Sequence, residues 1–458
     1  MGLATVAGMS TFDGPVFRPG DDGYDAERTG FNLSLEHHPE LIVGATSPDD
    51  VIAAVDYATE QGLAVAVQTT GHGPSVPADG QVMITMHRVD DVQVDPATRT
   101  ARVGGGARWQ QVLPQTVPHG LAPLNGSSPT VGVVGYTLGG GIGPLGRAFG
   151  FAADRVRRID LVTADGQLRQ VTADSEPDLF WALRGGKGNF GVVVGLEFEL
   201  VPVSRLYGGG LLFAADAARD VLHAYSEWTQ TVPDEMCSSV LLAQFPPLPQ
   251  IPELLRGRYV AGVRLAYTGS ADEGERLVKP LRDVAPSLLD TLGELPYADV
   301  ASIYNDPTEP AATSDSSMGL HTVDADAVEA ILAQVGPDSG SPLLAELRQL
   351  GGAYAQPPAI ASAVGGRDIA WVLFAVGLLR PGNENALREA HDALEEAMRP
   401  WATEAKVQNF IGPRDAAPER AKLAFAPADF TRLTQVKATY DPGNMFRINI
   451  NVPPAGTR

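Results

Sequence analysis

Pro129-Thr130-Val131-Gly132-Val133-Val134-Gly135-Tyr136-Thr137-Leu138-Gly139-Gly140-Gly141 sets glycine at five positions among apolar residues. Glycine admits positive φ and lets backbone approach a ligand more closely than a side chain allows. A second such loop precedes it, Thr69-Thr70-Gly71-His72-Gly73, with a histidine at its tip. A third follows, Gly185-Gly186-Lys187-Gly188-Asn189-Phe190-Gly191. Three glycine loops, each beside an apolar run, imply backbone N–H groups wrapped around a large phosphate-bearing ligand.

The chain around these loops has 458 residues, room for two or three domains with ample core. A hydrophobic fraction of 44% and a charged fraction of 19% are those of a globular protein. The net charge of −21 opposes nucleic acid and repels anions at long range. One cysteine, Cys237, rules out an internal disulfide and a cysteine-based metal cluster, and it reads as a buried apolar residue. The first fourteen residues lack a basic region followed by a long apolar one, and apolar runs such as Trp371–Leu379 are shorter than a bilayer. The expectation is a cytoplasmic protein, monomer or homodimer, with neither nucleic acid nor membrane as partner.

Residues 41–204 read as alternating strands and helices. Leu41–Ala45 is a strand, and Ser47 caps a helix with Pro48 at its first position and Gly62 past its end. Leu63–Val67 is a strand running into the His72 loop. Hairpins are expected at 91–103, around Pro96-Ala97, and at 159–171, around Asp165-Gly166. Val192–Val201 is a long strand. From residue 205 the β-type runs 258–268, 343–350 and 368–379 alternate with helical stretches near 216–231, 271–285 and 383–399, an α+β pattern with one antiparallel sheet. The proline-rich segment 247–257 reads as a loop over that sheet, and a helix near 428–438 precedes Tyr440–Asn451.

Several chemistries drop out. Neither Gly139-Gly140-Gly141-Ile142-Gly143 nor Gly104-Gly105-Gly106 keeps the dinucleotide-binding spacing, and Gly186-Lys187 is followed by glycine, not by Ser or Thr as a P-loop requires. The eight histidines form no metal-ligand spacing. No Gly-x-Ser-x-Gly elbow offers a serine nucleophile.

The order of these features resembles the flavoprotein family that includes berberine bridge enzyme, within the vanillyl-alcohol oxidase and p-cresol methylhydroxylase group. Four segments carry the likeness: the His72 loop, Asn125-Gly126-Ser127-Ser128-Pro129-Thr130-Val131-Gly132, the run Asp178–Gly191, and Tyr440-Asp441-Pro442-Gly443-Asn444-Met445-Phe446-Arg447. It implies a two-domain α+β p-cresol methylhydroxylase-type FAD-binding fold. Residues 1–204, completed by 402–458, would form the FAD domain, and 205–401 a substrate domain roofed by the antiparallel sheet. It implies FAD attached covalently through His72. Many members attach FAD again through a cysteine where this chain has Ser128, so a single attachment is expected. The same likeness extends cofactor contacts to Gln68, Thr69, Thr70, Gly71, Gly73, Ser128, Pro129, Thr130, Val131, Gly132, Gly135, Tyr136, Gly139, Gly140, Asp154, Val193 and Asn449. Val131 falls where relatives gate oxygen, and a valine there resembles oxidases. Tyr136 stands either as a hydrogen-bond donor to the flavin pyrimidine ring or as an aromatic packed beneath it.

The implied activity is an oxidase acting on CH–OH or CH–NH groups of a small secondary-metabolite-type substrate, with O2 as electron acceptor and hydrogen peroxide as product. Relatives that oxidise carbohydrates use an Asn-Tyr pair whose tyrosine is the base; here Asn409 is followed by Phe410. That substitution counts against a carbohydrate or lactone-forming oxidase, and a flavoprotein that sequesters a toxic metabolite is the third reading. Tyr354 is the expected replacement base, with Arg367 as its helper, ahead of Glu346, His321 and Tyr304.

Overall fold

The computed structural model describes residues 4–5, 11–73, 76–249 and 251–456; much of the leader segment and Gln250 of the proline-rich loop lie outside the described residues. Besides a short pair near the N-terminus, three sheets organise these residues.

In the first sheet the strands run in the order Val16–Phe17, Leu41–Gly44, Val82–Thr85 and Val65–Gln68, the last three parallel to one another. The helix Pro48–Gln61 makes the crossover from Leu41–Gly44 to the parallel strand Val65–Gln68, with Val82–Thr85 seated between the two. The Ser47 hydroxyl accepts from the Asp50 N–H at 3.4 Å at one end, and Gly62 closes the other at φ 67°. The second sheet is antiparallel, in the order Leu168–Val171, Val156–Val162, Val192–Glu199, Thr100–Gly104 and Val92–Asp95, and contains both expected hairpins.

The third sheet is antiparallel throughout. Its main path runs Ser287–Asp290, Arg205–Ala214, Tyr259–Tyr267, Met236–Gln244, Leu344–Gln349, Trp371–Leu378 and Thr313–Leu320. Successive side chains alternate between the two faces of a strand. One face, carrying Leu211, Phe213, Val240, Leu242, Val263, Leu347 and Leu373, packs under the helices Ala218–Trp228, Ala325–Val335 and Glu384–Met398. The opposite face carries Arg264, Ser239, Glu346 and Arg348, and its Val372 packs with Ile142, Phe151 and Tyr354 of the glycine-loop region.

Strands Arg205–Ala214, Met236–Gln244 and Thr313–Leu320 were not expected from the sequence, nor was the helix Ala325–Val335. The first carries Gly208-Gly209-Gly210 in its middle, which reads as a breaker. The last strand begins Thr313-Ser314-Asp315-Ser316-Ser317, and its buried serines are satisfied by the His391 ring and the Phe410 carbonyl.

The C-terminal segment is held by one charge pair. On helix Pro427–Tyr440, Lys437 meets Asp441 at 2.7 Å, and both side chains are fully buried. The Asp441 carboxylate accepts from the N–H groups of Met445 and Phe446, which winds the closing motif around it. Lys437 also donates to the Asn189 carbonyl at 2.5 Å, and the Asn189 amide donates to the carbonyls of Gly186 and Ile450. The third glycine loop is thereby tied to the end of the chain. Removing one partner of such a pair strands a charge without solvent. Lys437→Met should lower the unfolding free energy by about 3–5 kcal/mol in urea titrations, and Lys437→Met/Asp441→Leu should recover part of it. A loss under about 1 kcal/mol for the single variant would show that the pair does not hold the segment.

Candidate functional site

The His72 loop leaves strand Val65–Gln68 directly. Gln68 donates to the Arg28 carbonyl at 3.3 Å and braces the turn, where Gly71 at φ 66° lies against Gly30. His72 stacks on Phe31 with ring centroids 3.9 Å apart. One ring nitrogen faces the Thr70 hydroxyl at 2.8 Å and the other the Thr130 hydroxyl at 3.3 Å, and Thr130 in turn meets Ser128 at 2.9 Å. The first and second loops therefore join at this imidazole. Burial, with the nearby Arg108 charge adding to it, pushes the His72 pKa down to about 4, so the ring is neutral at neutral pH. Thr69 donates to the Gly105 carbonyl at 3.2 Å, and Pro129 and Val131 accept from Gln110 and Trp109, which fixes the second loop from behind.

That loop turns through Gly140 (φ 104°) and Gly141 (φ 83°), conformations that disfavour any side chain. Asn409 closes the turn: its amide donates to the Tyr136 carbonyl at 2.9 Å and its oxygen accepts from the Gly141 N–H at 2.7 Å. Lys187 of the third loop lies beside Gly139 and Asn409. Burial pushes its ammonium down to about 8, and it has no acidic partner among the described residues.

Bare backbone faces open space on all three loops. A Cβ placed on Gly73 or Gly135 meets no atom within 4 Å, and on Gly188 only Asn449 Nδ2, at 4.0 Å. The Asn449 side-chain oxygen is buried with no hydrogen-bond partner in the protein. Exposed amides over a space that side chains do not fill, with an orphaned acceptor at its edge, fit a large phosphate-bearing cofactor.

The structure places the other expected residues as follows. Tyr354 is 2% exposed, and its hydroxyl is already engaged with the backbone, accepting from Gly143 N–H at 3.0 Å and facing the Gly143 carbonyl at 3.2 Å. A Cβ on Gly146 would overlap that hydroxyl, so Tyr354 is a strut between sheet and loop, with burial raising its phenol well above 10. Arg367 donates to the Tyr354 carbonyl, not to its phenol, and pairs with Asp154 at 2.6 Å. Asp154 is thus neutralised by Arg367 and is bonded to the Phe151 N–H, which leaves it tying the loop to 354–367 and not free for a ligand. Tyr136 is wedged between Gly126 and Gly141, edge-on to Trp109 at 5.5 Å. Its buried hydroxyl has no partner, and burial raises that phenol well above 10. Val193 lies in the core, its carbonyl against Gly105. His321 is exposed and away from these groups.

Facing the second loop, the sheet presents a row whose two arginines the sequence reading missed, around the Glu346 and Tyr304 that it named. Arg264 and Arg348 both lie directly across from Ser239 on neighbouring strands. Both pair with Glu346, at 2.9 and 3.1 Å, and both guanidinium groups stand over the Tyr304 ring, at 5.0 and 5.3 Å. Burial pushes the Glu346 carboxyl up, but the two arginines outweigh it and hold the pKa at about 2. Phe410 lies 5.3 Å from Phe374, with Arg348 over its ring at 5.6 Å. The sequence signal was an arginine inside the apolar run Tyr259–Tyr267, and Glu346 and Arg348 alternating with apolar residues.

Asn409→Ala should remove the only side-chain bridge across Tyr136–Gly141 among the described residues, and the Gly141 amide should then exchange with solvent about tenfold faster. Unchanged exchange would mean that the turn stands without it.

An FAD-binding domain model matches residues 39–172, and a model described as berberine and berberine like matches residues 409–453. The chain is 27% identical over 463 residues to (R)-6-hydroxynicotine oxidase of Paenarthrobacter nicotinovorans, covering 98% of each. The crystal structure of 6-hydroxy-D-nicotine oxidase from Arthrobacter nicotinovorans superposes with a TM-score of 0.84 at 25% identity, covering 98% of this chain and 99% of that one. A Physcomitrella patens BBE-like protein shares the fold, with a TM-score of 0.83 at 21% identity over 97% of this chain and 98% of that one.

Proposed function

We propose that this chain, which matches FAD-binding and berberine-like family models and resembles FAD-linked oxidases over its length, is a berberine bridge enzyme-like FAD-linked oxidase that oxidises a C–H bond beside oxygen or nitrogen in a small secondary-metabolite-type substrate. The observation that carries the reading is two facing surfaces: glycine backbone bare toward open space, and a polar sheet face opposite Tyr136 and Asn409. FAD, when bound, supplies the hydride acceptor at flavin N5 and its reoxidation by O2 to hydrogen peroxide. A proton leaves the substrate oxygen or nitrogen as the hydride leaves carbon, and a C=O or C=N bond forms.

The loop residues Thr69–Gly73, Pro129–Gly135, Gly139, Gly140 and Gly188, with Asn449, would line the cofactor, and His72 would be its single covalent tether. A neutral imidazole is the nucleophilic form, and the depressed His72 pKa supports that role. Ser128 offers a hydroxyl where a thiolate would be needed for a second bond. Lys187 brings positive charge to the glycine loops, where charge developing on reduction would be stabilised. Val131, partly buried at the second loop, is the proposed oxygen gate. We divide the chain into an FAD domain of 1–204 with 402–458 and a substrate domain of 205–401, with the substrate between them, where ligand sites concentrate.

For the base we assign Tyr304. Its hydroxyl has no hydrogen-bond partner among the described residues, and two guanidinium groups over its ring would stabilise a phenolate. Burial pushes its pKa up to about 12 in spite of Arg348. The active form is the deprotonated one, so flavin reduction by a hydroxyl substrate should rise with pH between 7 and 9. Tyr304→Phe should abolish that rise and slow reduction by about 10²-fold or more in anaerobic stopped-flow. A wild-type rate that falls over that range would exclude this assignment. Anaerobic mixing with a panel of alcohols, amines and hydroxylated aromatics should bleach the flavin with at least one of them; bleaching by none would remove the oxidase reading.

A further inference from the structure

Arg264, Arg348 and Glu346 sum among themselves to one positive charge at a place closed to bulk water, offset only from outside by the Asp306 carboxylate. Arg264 is 7% exposed, and Arg348 and Glu346 are each 8% exposed. A purely structural ion triad satisfies its donors internally, because a buried unpaired donor or charge is costly. This one does not: the Nε atoms of Arg264 and Arg348 are both buried without a hydrogen-bond partner in the protein, and so is the Tyr136 hydroxyl. The next carboxylate outward, Asp306, accepts from the Ser127 hydroxyl at 2.5 Å and is only half-buried.

Apolar surface leads to this charge. Leu212, Leu241 and Phe374 project from the same face of the sheet, since Leu241 is paired with Glu346 and Glu346 with Phe374. All three are only partly buried. Phe410 stands against Phe374 where relatives carry a tyrosine, adding a ring and no polar group.

We propose that the substrate of this site is a monocarboxylate with an aromatic or apolar body, its carboxylate taken by Arg264 and Arg348 and its body by Leu212, Leu241, Phe374 and Phe410. A guanidinium fork matches a carboxylate in geometry. One surplus positive charge balances a carboxylate and leaves a phosphate dianion undercompensated. The whole molecule, at −21, repels anions at long range, so the attraction is confined to this row. The inference rests on the oxidase reading for its location, and its test is binding and not turnover.

The experiment uses the flavin-loaded protein at pH 7, with benzoate and cinnamate against benzamide and cinnamamide, followed by flavin difference spectra and calorimetry. Each acid should bind at least tenfold more tightly than its amide. Glu346→Gln raises the local charge from one to two and should tighten the acids further, while Glu346→Gln/Arg348→Gln/Arg264→Gln, which removes all three charges and leaves no carboxylate stranded, should erase the preference. Equal binding of acid and amide, or weaker acid binding in Glu346→Gln, overturns the proposal. Flavin bleaching by a neutral alcohol without any preference for acids overturns it alone and leaves the oxidase reading standing. Tight binding of acids with no bleaching by any compound has the opposite meaning.

Discussion

Glycine backbone cannot hold its own shape, so this molecule depends on side chains that brace three glycine loops from behind. Asn409 spans Tyr136 and Gly141, Thr130 reaches His72, and Asn189 is clamped by the buried Lys437–Asp441 pair. Each brace comes from a segment remote in sequence or from another loop. The loops can therefore present bare amides to open space without collapsing onto them. Removing residues after 408 would cost the first of these braces and the third, which explains in physical terms why the end of the chain returns to its beginning.

The antiparallel sheet does two jobs because its side chains alternate. One face buries Leu and Val under three helices. The other face, in the same strands, carries Arg264, Ser239, Glu346 and Arg348 toward the second glycine loop. A one-residue slip in register would exchange the two faces and bury the arginines among the helices. Bolts between sheet and loop guard against that: Arg147 donates to the Met236 carbonyl at 2.7 Å, and Tyr297 donates to the Asn125 side chain at 2.6 Å. Tyr354, bonded to the Gly143 backbone, is a further bolt of this kind.

The cofactor side was legible in the sequence because local rules govern it. Gly62 past a helix end, Asp165-Gly166 between strands and the positive φ of Gly140 and Gly141 each depend on a few neighbouring residues. The substrate side was not, because its residues meet only through cross-strand pairing. Arg264 and Arg348 are 84 positions apart and become neighbours across Ser239. Tyr354 looked attractive after Gly351-Gly352, yet its exposure and partners are tertiary facts that no local pattern carries. The pairing of Asp154 with Arg367, far along the chain, is a tertiary fact of the same kind. The polar strand Thr313–Leu320 reads as a loop until the partners of its buried serines, the His391 ring and the Phe410 carbonyl, are known.

The central claim is that the glycine loops cradle FAD with His72 as its one tether. Peptide mapping of the denatured, flavin-loaded protein by mass spectrometry tests it most directly. The account predicts one flavin adduct, on the peptide that contains His72, and an unmodified peptide containing Ser128. A flavin that leaves with the denatured supernatant and an unmodified His72 peptide would contradict it.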